Sequence, residues 1–251
     1  MTTKKRQLTV ITYNIHKGLS QFNRRVVLHD IREQLRSMNA DVAFLQEVQG
    51  KHAGRARRHL TWPDVAQHEF LTHEGSHCVY GMNAVYQDGH HGNAIVSRHP
   101  IPTWENIDIS HHAIERLGLL HREVKIEGWN ERPHCINVHL GLWARSRRFQ
   151  LEWLVERIRA AVPRKGPLIV AGDFNDWRKQ ASRYLAAELG LYEVFEHSEG
   201  KLAKSYPAAL PVFSLDRIYV RDMEIRGAER CVGGTWSRLS DHVALAAHLA
   251  R

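Results

Sequence analysis

The chain has 251 residues, of which 43% are hydrophobic, and a formal net charge of +8 at pH 7. This length predicts one large α/β domain or two small ones, and the excess of positive charge favours polyanions or anionic membrane surfaces as partners. No run of about 18 apolar residues occurs, so the sequence predicts no membrane-spanning helix. The three cysteines (Cys78, Cys135 and Cys231) are far apart, which argues against a disulfide framework and predicts a cytoplasmic protein.

The N-terminal part predicts a strand, a helix and a second strand. Residues 8–15 are rich in β-branched side chains and predict the first strand. Apolar residues then recur every three or four positions over residues 28–38, which predicts an amphipathic helix. Residues 41–48 predict the second strand, and this order favours a parallel crossover.

The middle of the chain gives weaker signals. Residues 49–92 are rich in His, Gly and Asn, and we predict that they are mostly irregular, with a short strand near residues 84–86. Residues 93–97 predict the next strand. Residues 124–126 and 135–140 then predict a hairpin around a turn-rich segment.

The C-terminal part returns to alternating helices and strands. The remaining predicted elements are a helix at residues 151–162, a strand at 168–171, a helix at 181–189, and closing strands at 214–220 and 242–249. No internal repeat, low-complexity stretch or linker occurs, so we predict a single domain over residues 1–251.

Polar side chains interrupt or end several of these strands. Asp173 and Asn175 follow an apolar strand two positions apart, so an extended chain points both the same way. Asp216 interrupts an apolar strand, and Asp241 and His242 open the last one. Ligand sites gather at strand ends, and an unpaired polar group in a core costs roughly 1–3 kcal/mol. The whole set of polar candidates is Asn14, Glu47, His139, Asp173, Asn175, Asp216, Asp241 and His242.

Each candidate also has a structural alternative when it is taken singly. Asn14 could start a turn, and Glu47 could be an exposed charge at the end of a strand. Asp216 could pair with a neighbouring cation, and His139 could be a hydrogen-bonded core histidine. The co-occurrence of two carboxylates, an amide and an imidazole nevertheless fits hydrolysis of a phosphate ester with a divalent metal.

Seven short motifs occur between about residue 12 and residue 245, at residues 13–14 (YN), 45–48 (LQEV), 92–97 (GNAIVS), 137–140 (NVHL), 171–175 (AGDFN), 215–218 (LDRI) and 240–242 (SDH). Together they resemble the endonuclease/exonuclease/phosphatase superfamily, which includes DNase I-like nucleases and inositol polyphosphate phosphatases. Longer strings at residues 16–18 (HKG), 89–93 (GHHGN) and 173–178 (DFNDWR) resemble a bacterial branch of unassigned substrate.

The resemblance implies an α/β fold, a four-layer α/β/β/α sandwich of two mixed β-sheets flanked by helices. It also implies that Glu47 is the main metal ligand, with help from Asn14 and Asp241. These hard oxygen ligands suit Mg²⁺ or Mn²⁺.

The resemblance implies catalytic roles as well. Asp173 would orient or deprotonate the attacking water, while Asn175 and His139 would hold the phosphoryl oxygens. His242, oriented by Asp216, would act as an acid or base or as a phosphate ligand. Asp173 and His242 are therefore alternative candidates for the general base.

Two basic clusters follow predicted site residues and are expected near the rim of the cleft. Residues 51–58 hold one lysine and three arginines after Glu47, and residues 145–148 hold three arginines at the start of a helix that we expect Ser146 to cap. Cations there oppose the helix dipole, whereas contact with a phosphate would explain them; a solvated basic face is the alternative. The predicted substrate-binding residues are Asn93, Arg122, Arg145, Arg148 and Arg178.

The sequence therefore predicts a phosphoesterase that cleaves a P–O bond by in-line attack of water. A nucleic-acid phosphodiester is the first choice of substrate, because of the basic rim. The alternatives are a phospholipid, an inositol phosphate or another small phosphate ester, and a non-catalytic nucleic-acid-binding module. No protein partner is evident. A transition-metal site built from His90, His91, His99, His111 and His112 is disfavoured, because the chain has 18 histidines and chance pairs are common.

Overall fold

A computed structural model describes residues 7–112 and 115–251, and the remaining residues of the predicted domain, 1–6 and 113–114, lie outside this description. The described strands are β1 (Gln7–Asn14), β2 (Val42–His52), β3 (His77–Tyr86), β4 (Gly89–Ser97), β5 (Trp104–Asp108), β6 (Gly118–Glu123), β7 (His134–His139), β8 (Leu168–Asp173), β9 (Tyr192–Glu193), β10 (Asp216–Arg221), β11 (Glu224–Cys231) and β12 (Ala244–Ala250). The described α-helices are α1 (Leu28–Ser37), α2 (Ala53–Arg58), α3 (Gln67–Leu71), α4 (Ala144–Ala161), α5 (Gln180–Leu189) and α6 (Val194–Glu199). None of these helices is long and apolar enough to cross a membrane.

The strands form two mixed sheets of six strands each. Their orders are β11-β12-β1-β2-β4-β3 and β5-β6-β7-β8-β10-β9. Strands β1 and β2 are parallel, as predicted for the first crossover, and so are β7 and β8. Because the carboxyl ends of parallel neighbours lie at the same edge of a sheet, each pair brings its terminal polar residues together.

Three apolar cores separate the layers of the fold. One core lies between the sheets and contains Phe44 and Ile95 of the first sheet with Ile218 of the second. The amphipathic stripe of α1 packs on the outer face of the first sheet, and the stripes of α4 and α5 pack on the outer face of the second. The expected four-layer sandwich with two mixed sheets is thereby confirmed.

The prediction that residues 49–92 are mostly irregular is wrong. This segment continues β2 to His52, forms two short helices, and forms all of β3 and the start of β4. Strand β3 lies at an edge of its sheet and is only partly buried, so its sequence HCVYGMNAVY needs few apolar residues. Edge strands of this kind lack the strong apolar pattern that marks a central strand.

The hairpin predicted before α4 exists, but its first strand is earlier than expected. Strand β6 precedes residues 124–126 and pairs antiparallel with β7. Val124 and Ile126 are buried in the core between the sheets without belonging to a strand. Their alternation therefore reflects burial rather than strand pairing.

A network of buried side-chain amides connects the two sheets. Nε2 of Gln46 in β2 donates to Oδ1 of Asn137 in β7 across 2.8 Å. Nδ2 of Asn137 in turn donates to the carbonyl oxygens of Leu45 and Ala94, at 2.9 and 2.8 Å. Because both amides are fully buried, these hydrogen bonds fix the relative position of the two sheets.

We expect the Asn137→Ala substitution to lower the free energy of unfolding by about 2–4 kcal/mol, because it leaves two buried carbonyls and the Gln46 amide short of partners. Urea denaturation followed by circular dichroism measures this change. The Asn130→Ala protein is the matched control, since Asn130 lies exposed in the β6–β7 turn. Equal stability of the two variants would show that the network does not hold the sheets together.

Candidate active site

Asp173, Asp216 and His242 converge where the two sheets meet. Asp173 ends β8 and Asp216 opens β10, and the antiparallel register places them directly opposite each other. His242 precedes β12 in the other sheet; its Nδ1 lies 2.9 Å from Asp216 Oδ2 and its Nε2 lies 3.7 Å from Asp173 Oδ2. All three side chains are buried, so water does not screen their mutual interaction.

The charges in this cluster shift one another's pKa. Burial alone would lower the pKa of His242, but the neighbouring Asp216 and Asp173 carboxylates outweigh burial and raise it to about 10. Burial also raises the pKa of the Asp173 carboxyl; His242 opposes this shift and Asp216 adds to it. At neutral pH, His242 is therefore an imidazolium, and Asp173 is a stronger base than an ordinary aspartate.

A pH dependence of stability follows from the raised pKa of His242. Its ordinary pKa is about 6.5. The contribution of protonated His242 to the free energy of unfolding is therefore complete below about pH 6.5 and is lost as the pH rises toward the folded-state pKa of about 10. Over this range we expect the metal-free wild-type protein to lose about 2 kcal/mol more unfolding free energy than the Asp216→Asn protein, which lacks the main attraction. Urea denaturation in EDTA at several pH values measures both curves; parallel curves would contradict the assignment.

Glu47 reaches the same region through an irregularity in β2. The register between β2 and β4 shifts between Leu45 and Val48, and Glu47 has a φ of 55°. A β-bulge with a residue in the left-handed region redirects its side chain, and such backbone strain is concentrated at functional sites. The bulge directs Glu47 toward Asn14, whose Nδ2 lies 3.4 Å from Glu47 Oε1 and 3.2 Å from Asp173 Oδ2.

Two basic side chains of the loop after β1, Lys17 and His16, contact the predicted metal-binding carboxylates. Lys17 Nζ lies 2.6 Å from Glu47 Oε2, and His16 Nδ1 lies 2.8 Å from Asp241 Oδ1. Burial raises the pKa of Glu47, but Lys17 and then His139 outweigh this and hold it well below its usual range. Glu47 is therefore an anion throughout the physiological pH range.

Ser240 connects the end of β1 to the segment before β12. Its hydroxyl donates to the carbonyl oxygen of Asn14 at 2.7 Å and accepts from the backbone N–H of His242 at 3.2 Å. These bonds fix the position of the turn that carries Asp241 and His242. The serine in the SDH motif thus has a structural task at the site.

His139 and Asn175 complete the set around Asp173. His139 ends β7 opposite Asp173 in the parallel register, and its Nε2 lies 3.7 Å from Asp173 Oδ2. The backbone N–H of Asn175 donates to Asp173 Oδ1 at 2.9 Å, and Nδ2 of Asn175 donates to the carbonyl oxygen of Leu140. All eight polar candidates from the strand ends therefore belong to one connected group.

Six members of this group line the floor of an open cleft with a volume of about 570 Å³, whereas Asn14 and Asp216 are buried and do not belong to its lining. The walls above the polar floor are largely apolar. Three wall residues from different loops are also prominent on the surface: Leu142, Trp177 and Phe213 are 59%, 44% and 48% exposed. Tyr206 lies over the floor, with its ring centroid 4.9 Å from that of His242. The cleft can therefore contact both a charged group and an apolar group of one ligand.

The sequence profile of the endonuclease/exonuclease/phosphatase family matches residues 11–242, which include every residue of the polar floor. The chain belongs to this family. Members of the family are typically hydrolases of phosphoester bonds. The chain is also 40% identical over 248 residues to the YbhP protein of Escherichia coli K12, which is described as uncharacterized, and the match covers 98% of both chains.

Solved structures of the family share the fold. An endonuclease/exonuclease/phosphatase from Bacteroides vulgatus has a TM-score of 0.76 at 14% identity, covering 98% of this chain and 99% of that one. D. rerio TDP2 in complex with a single-strand DNA product has a TM-score of 0.70 at 18% identity, with the same coverage. The D. rerio protein is similar to this chain in architecture, whereas the sequences differ at most positions.

Two predicted substrate-binding residues lie away from the cleft of this family member. Arg122 is 1% exposed and donates to the carbonyl oxygen of Ile95 between the sheets. Asn93 is also buried, and its Nδ2 donates to the carbonyl oxygen of Gly118. Their placement contradicts a role in contacting substrate, because neither side chain can be reached from the cleft. Both help to join the sheets instead.

The arginines at the start of α4 also differ from expectation. The N-cap position belongs to Trp143, and Ser146 lies buried inside the helix rather than capping it. Arg148 pairs with Glu152 on the exposed face of the helix. Arg147 is buried beneath Trp177, with its guanidinium 4.5 Å from the ring centroid, and donates to the carbonyl oxygen of Leu142. Arg147 therefore supports the cleft wall from behind.

Arg145 and Arg178 remain candidates for contact with a substrate. Both are exposed, and they follow the wall residues Leu142 and Trp177 by three positions and by one. Neither belongs to the cleft lining itself. Any contribution they make is therefore to a part of the substrate outside the cleft.

Several residues in or beside the cleft were not predicted from the sequence. Lys17 and His91 lie within strings that resemble the bacterial branch, but no role was assigned to them. Arg116, Tyr206 and Phe213 line the walls from loops without any distinctive motif. The five histidines considered as a metal cluster do not converge: among the described residues, the three side chains whose potential ligand atoms lie within 4.8 Å of one another are Asp173, Asp216 and His242.

Proposed function

We propose that this family member hydrolyses a phosphate ester by in-line attack of a water molecule and depends on a divalent metal ion. One observation carries the proposal: Asp173 lies between the predicted metal-binding residues and His242. Its Oδ2 lies 3.7 Å from His242 and 3.2 Å from Asn14, which also contacts Glu47. A water held at Asp173 would therefore stand between the metal-binding carboxylate and a cationic acid.

The residues around Glu47 fit Mg²⁺ or Mn²⁺. Glu47 and Asp241 would supply carboxylate oxygens, which are the donor type that these ions prefer. Asn14 would supply an amide oxygen after its amide turns, because its Oδ1 now accepts from the backbone N–H of His16 and its Nδ2 faces Glu47. The contacts of Lys17 and His16 with the two carboxylates support the same conclusion, because they mark this region as one that attracts positive charge. The ion, when bound, would stabilise the negative charge that develops on the phosphoryl oxygens.

The electrostatics favour one division of the proton-transfer roles. His242 is already protonated at neutral pH and so is suited to donate a proton to the leaving oxygen or to bind a phosphoryl oxygen. Asp173, with its raised pKa, is suited to accept the proton of the attacking water. We therefore assign Asp173 as the base and His242 as the acid. His139 and Asn175 would hold the phosphoryl oxygens.

A nucleic-acid phosphodiester remains the first proposed substrate, in a protein that we propose to be cytoplasmic. The charge of +8 and the exposed Arg145 and Arg178 beside the cleft support a polyanion. The similarity to a protein solved with a single-strand DNA product supports it further. The buried Arg122 and the Glu152-paired Arg148 give no support to this choice.

A phospholipid or another ester with an apolar group is the second candidate, and the apolar cleft walls favour it. Leu142, Trp177 and Phe213 present apolar surface within the cleft itself, next to the polar floor. A phosphate ester whose neighbouring substituent is apolar would bury that surface on binding. A silent nucleic-acid-binding module is the least favoured alternative, because binding alone gives no reason for the buried pair of Asp216 and His242.

One set of assays tests the reaction and separates the substrates. The purified protein is incubated with single-stranded DNA, RNA, bis-p-nitrophenyl phosphate, p-nitrophenyl phosphate and phospholipid vesicles, with Mg²⁺ and Mn²⁺ in parallel. We expect turnover that EDTA abolishes and that the His242→Ala protein lacks. Preference for DNA or RNA supports the first candidate, and preference for vesicles supports the second. Salt-sensitive nucleic-acid binding without turnover of any substrate would overturn the enzymatic proposal.

A further inference from the structure

The loop after β1 has an unusual backbone that places two neighbouring side chains on the two predicted metal-binding carboxylates. His16, Lys17 and Gly18 have φ values of 46°, 56° and 69°, so three consecutive residues lie in the left-handed region. This conformation is uncommon for residues other than glycine. It turns Lys17 onto Glu47 and His16 onto Asp241.

Buried residues from other elements hold this loop in place. Gln67 of α3 is 1% exposed; its Nε2 donates to the carbonyl oxygen of Lys17, and its Oε1 accepts from the backbone N–H of Gln49, both at 2.8 Å. A Cβ on Gly18 would stand only 2.5 Å from Leu28 Cγ, so the loop packs closely against the helix behind it. The surrounding structure therefore holds Lys17 against Glu47, unlike the partners of an isolated surface ion pair.

We propose that Lys17 competes with the divalent ion for Glu47, and that a phosphate group relieves this competition. This inference rests on the proposed function. Lys17 Nζ lies 2.6 Å from Oε2 of the carboxylate that we assign to the metal, and the two side chains are only 28% and 20% exposed. A divalent ion cannot bind that oxygen while the ammonium stays on it, because the two positive charges repel each other strongly at such a distance.

The released ammonium then needs another anion. Glu47, Asp173 and His242 line one cleft, and Lys17 Nζ lies 2.6 Å from Glu47 Oε2, so a phosphoryl group bound next to Glu47 would be near the ammonium as well as the metal site. The phosphate would accept the ammonium that the metal displaces. Binding of metal and binding of phosphate therefore favour each other, and thermodynamic linkage makes the effect reciprocal. Lys17 thus makes tight metal binding conditional on the substrate.

The test measures Mn²⁺ binding directly, by the loss of the free-ion signal in electron paramagnetic resonance, so that it does not depend on turnover. The proteins are the wild type, Lys17→Met, Lys17→Arg and Lys125→Met, each with and without inorganic phosphate. Lys125 is the matched control, because it is exposed in the β6–β7 turn at the opposite end of its sheet from Asp173. Circular dichroism verifies that each variant folds.

We expect Lys17→Met to bind Mn²⁺ with a Kd roughly tenfold lower than that of the wild type, while Lys17→Arg and Lys125→Met keep the wild-type value. We expect phosphate to lower the Kd of the wild type severalfold and that of Lys17→Met much less. The competition is overturned if Lys17→Met binds no more tightly than the wild type, or if Lys17→Arg tightens binding equally. The coupling is overturned if phosphate acts equally on both proteins.

The failure of the proposed function has a different signature. If none of the four proteins binds Mn²⁺, with or without phosphate, the metal site at Glu47 is wrong and the inference falls with it. If all four bind Mn²⁺ with equal affinity, the metal site stands and the competition by Lys17 alone is overturned.

Discussion

The Asp173→Asn protein is expected to lose about 10²–10⁴-fold in kcat on whichever phosphate ester the wild type hydrolyses. Asparagine keeps the shape of the side chain and can still accept the hydrogen bond from the Asn175 backbone. It cannot accept a proton from water, which is the role that the raised pKa of Asp173 fits. Steady-state kinetics at saturating Mg²⁺ measures the loss.

The stability of the Asp173→Asn protein separates catalysis from folding. Because burial raises the pKa of Asp173, the carboxylate is costly in the folded state, and the neutral amide should not lower the thermal midpoint. Asp222→Asn is the matched control, since Asp222 follows β10 at the end opposite Asp216 and should keep full activity. Wild-type kcat in the Asp173→Asn protein would remove Asp173 from the reaction.

The Glu47→Gln protein is expected to need a far higher metal concentration. Removing the one carboxylate that the bulge in β2 directs into the cleft takes away the main anionic ligand, so we expect the metal concentration for half-maximal activity to rise more than about 100-fold. Titration of activity with Mg²⁺ and with Mn²⁺ measures this shift.

The control for Glu47→Gln is Glu156→Gln, which removes the same charge from the exposed face of α4. The control separates a local loss of the ligand from a change in the overall field of the protein. An unchanged metal titration in Glu47→Gln, with activity still abolished by EDTA, would place the required ion somewhere else.

The strand ends were predictable from the sequence because buried strands have a strong signature. Runs such as LIVAG before Asp173 are almost wholly apolar, so a polar residue directly after them is conspicuous. The motifs that carry the family resemblance lie at these same points, and the family is confirmed. The pairing of His242 with Asp216, implied by that resemblance, is present in the structure at 2.9 Å.

Other features depend on tertiary contacts that no local pattern records. Arg122 lies in a strand, and the sequence alone could not show that its side chain faces the buried space between the sheets. Glu47 was expected at a strand end, whereas β2 continues past it through a bulge. Bulges depend on pairing with the partner strand, which here is β4.

The residues of the cleft walls could not be predicted from the sequence for the same reason. Leu142, Trp177 and Phe213 come from three loops that are far apart in the sequence, and single exposed apolar residues are ordinary on protein surfaces. Lys17 was part of a recognised string, but only the left-handed turn of the loop brings its ammonium to Glu47. These residues line or adjoin the cleft, and because no local pattern marks them, the substrate was the least predictable property.

Anomalous diffraction from crystals soaked in Mn²⁺ would test whether the scattered polar residues act together around one cation. We expect a peak in the cleft at coordination distance, about 2.0–2.6 Å, from a Glu47 carboxylate oxygen. We also expect Lys17 Nζ to have left that oxygen. Peaks confined to surface histidines or other sites, with Glu47 still held by Lys17 at saturating Mn²⁺, would contradict the metal-dependent hydrolase proposed for this fold.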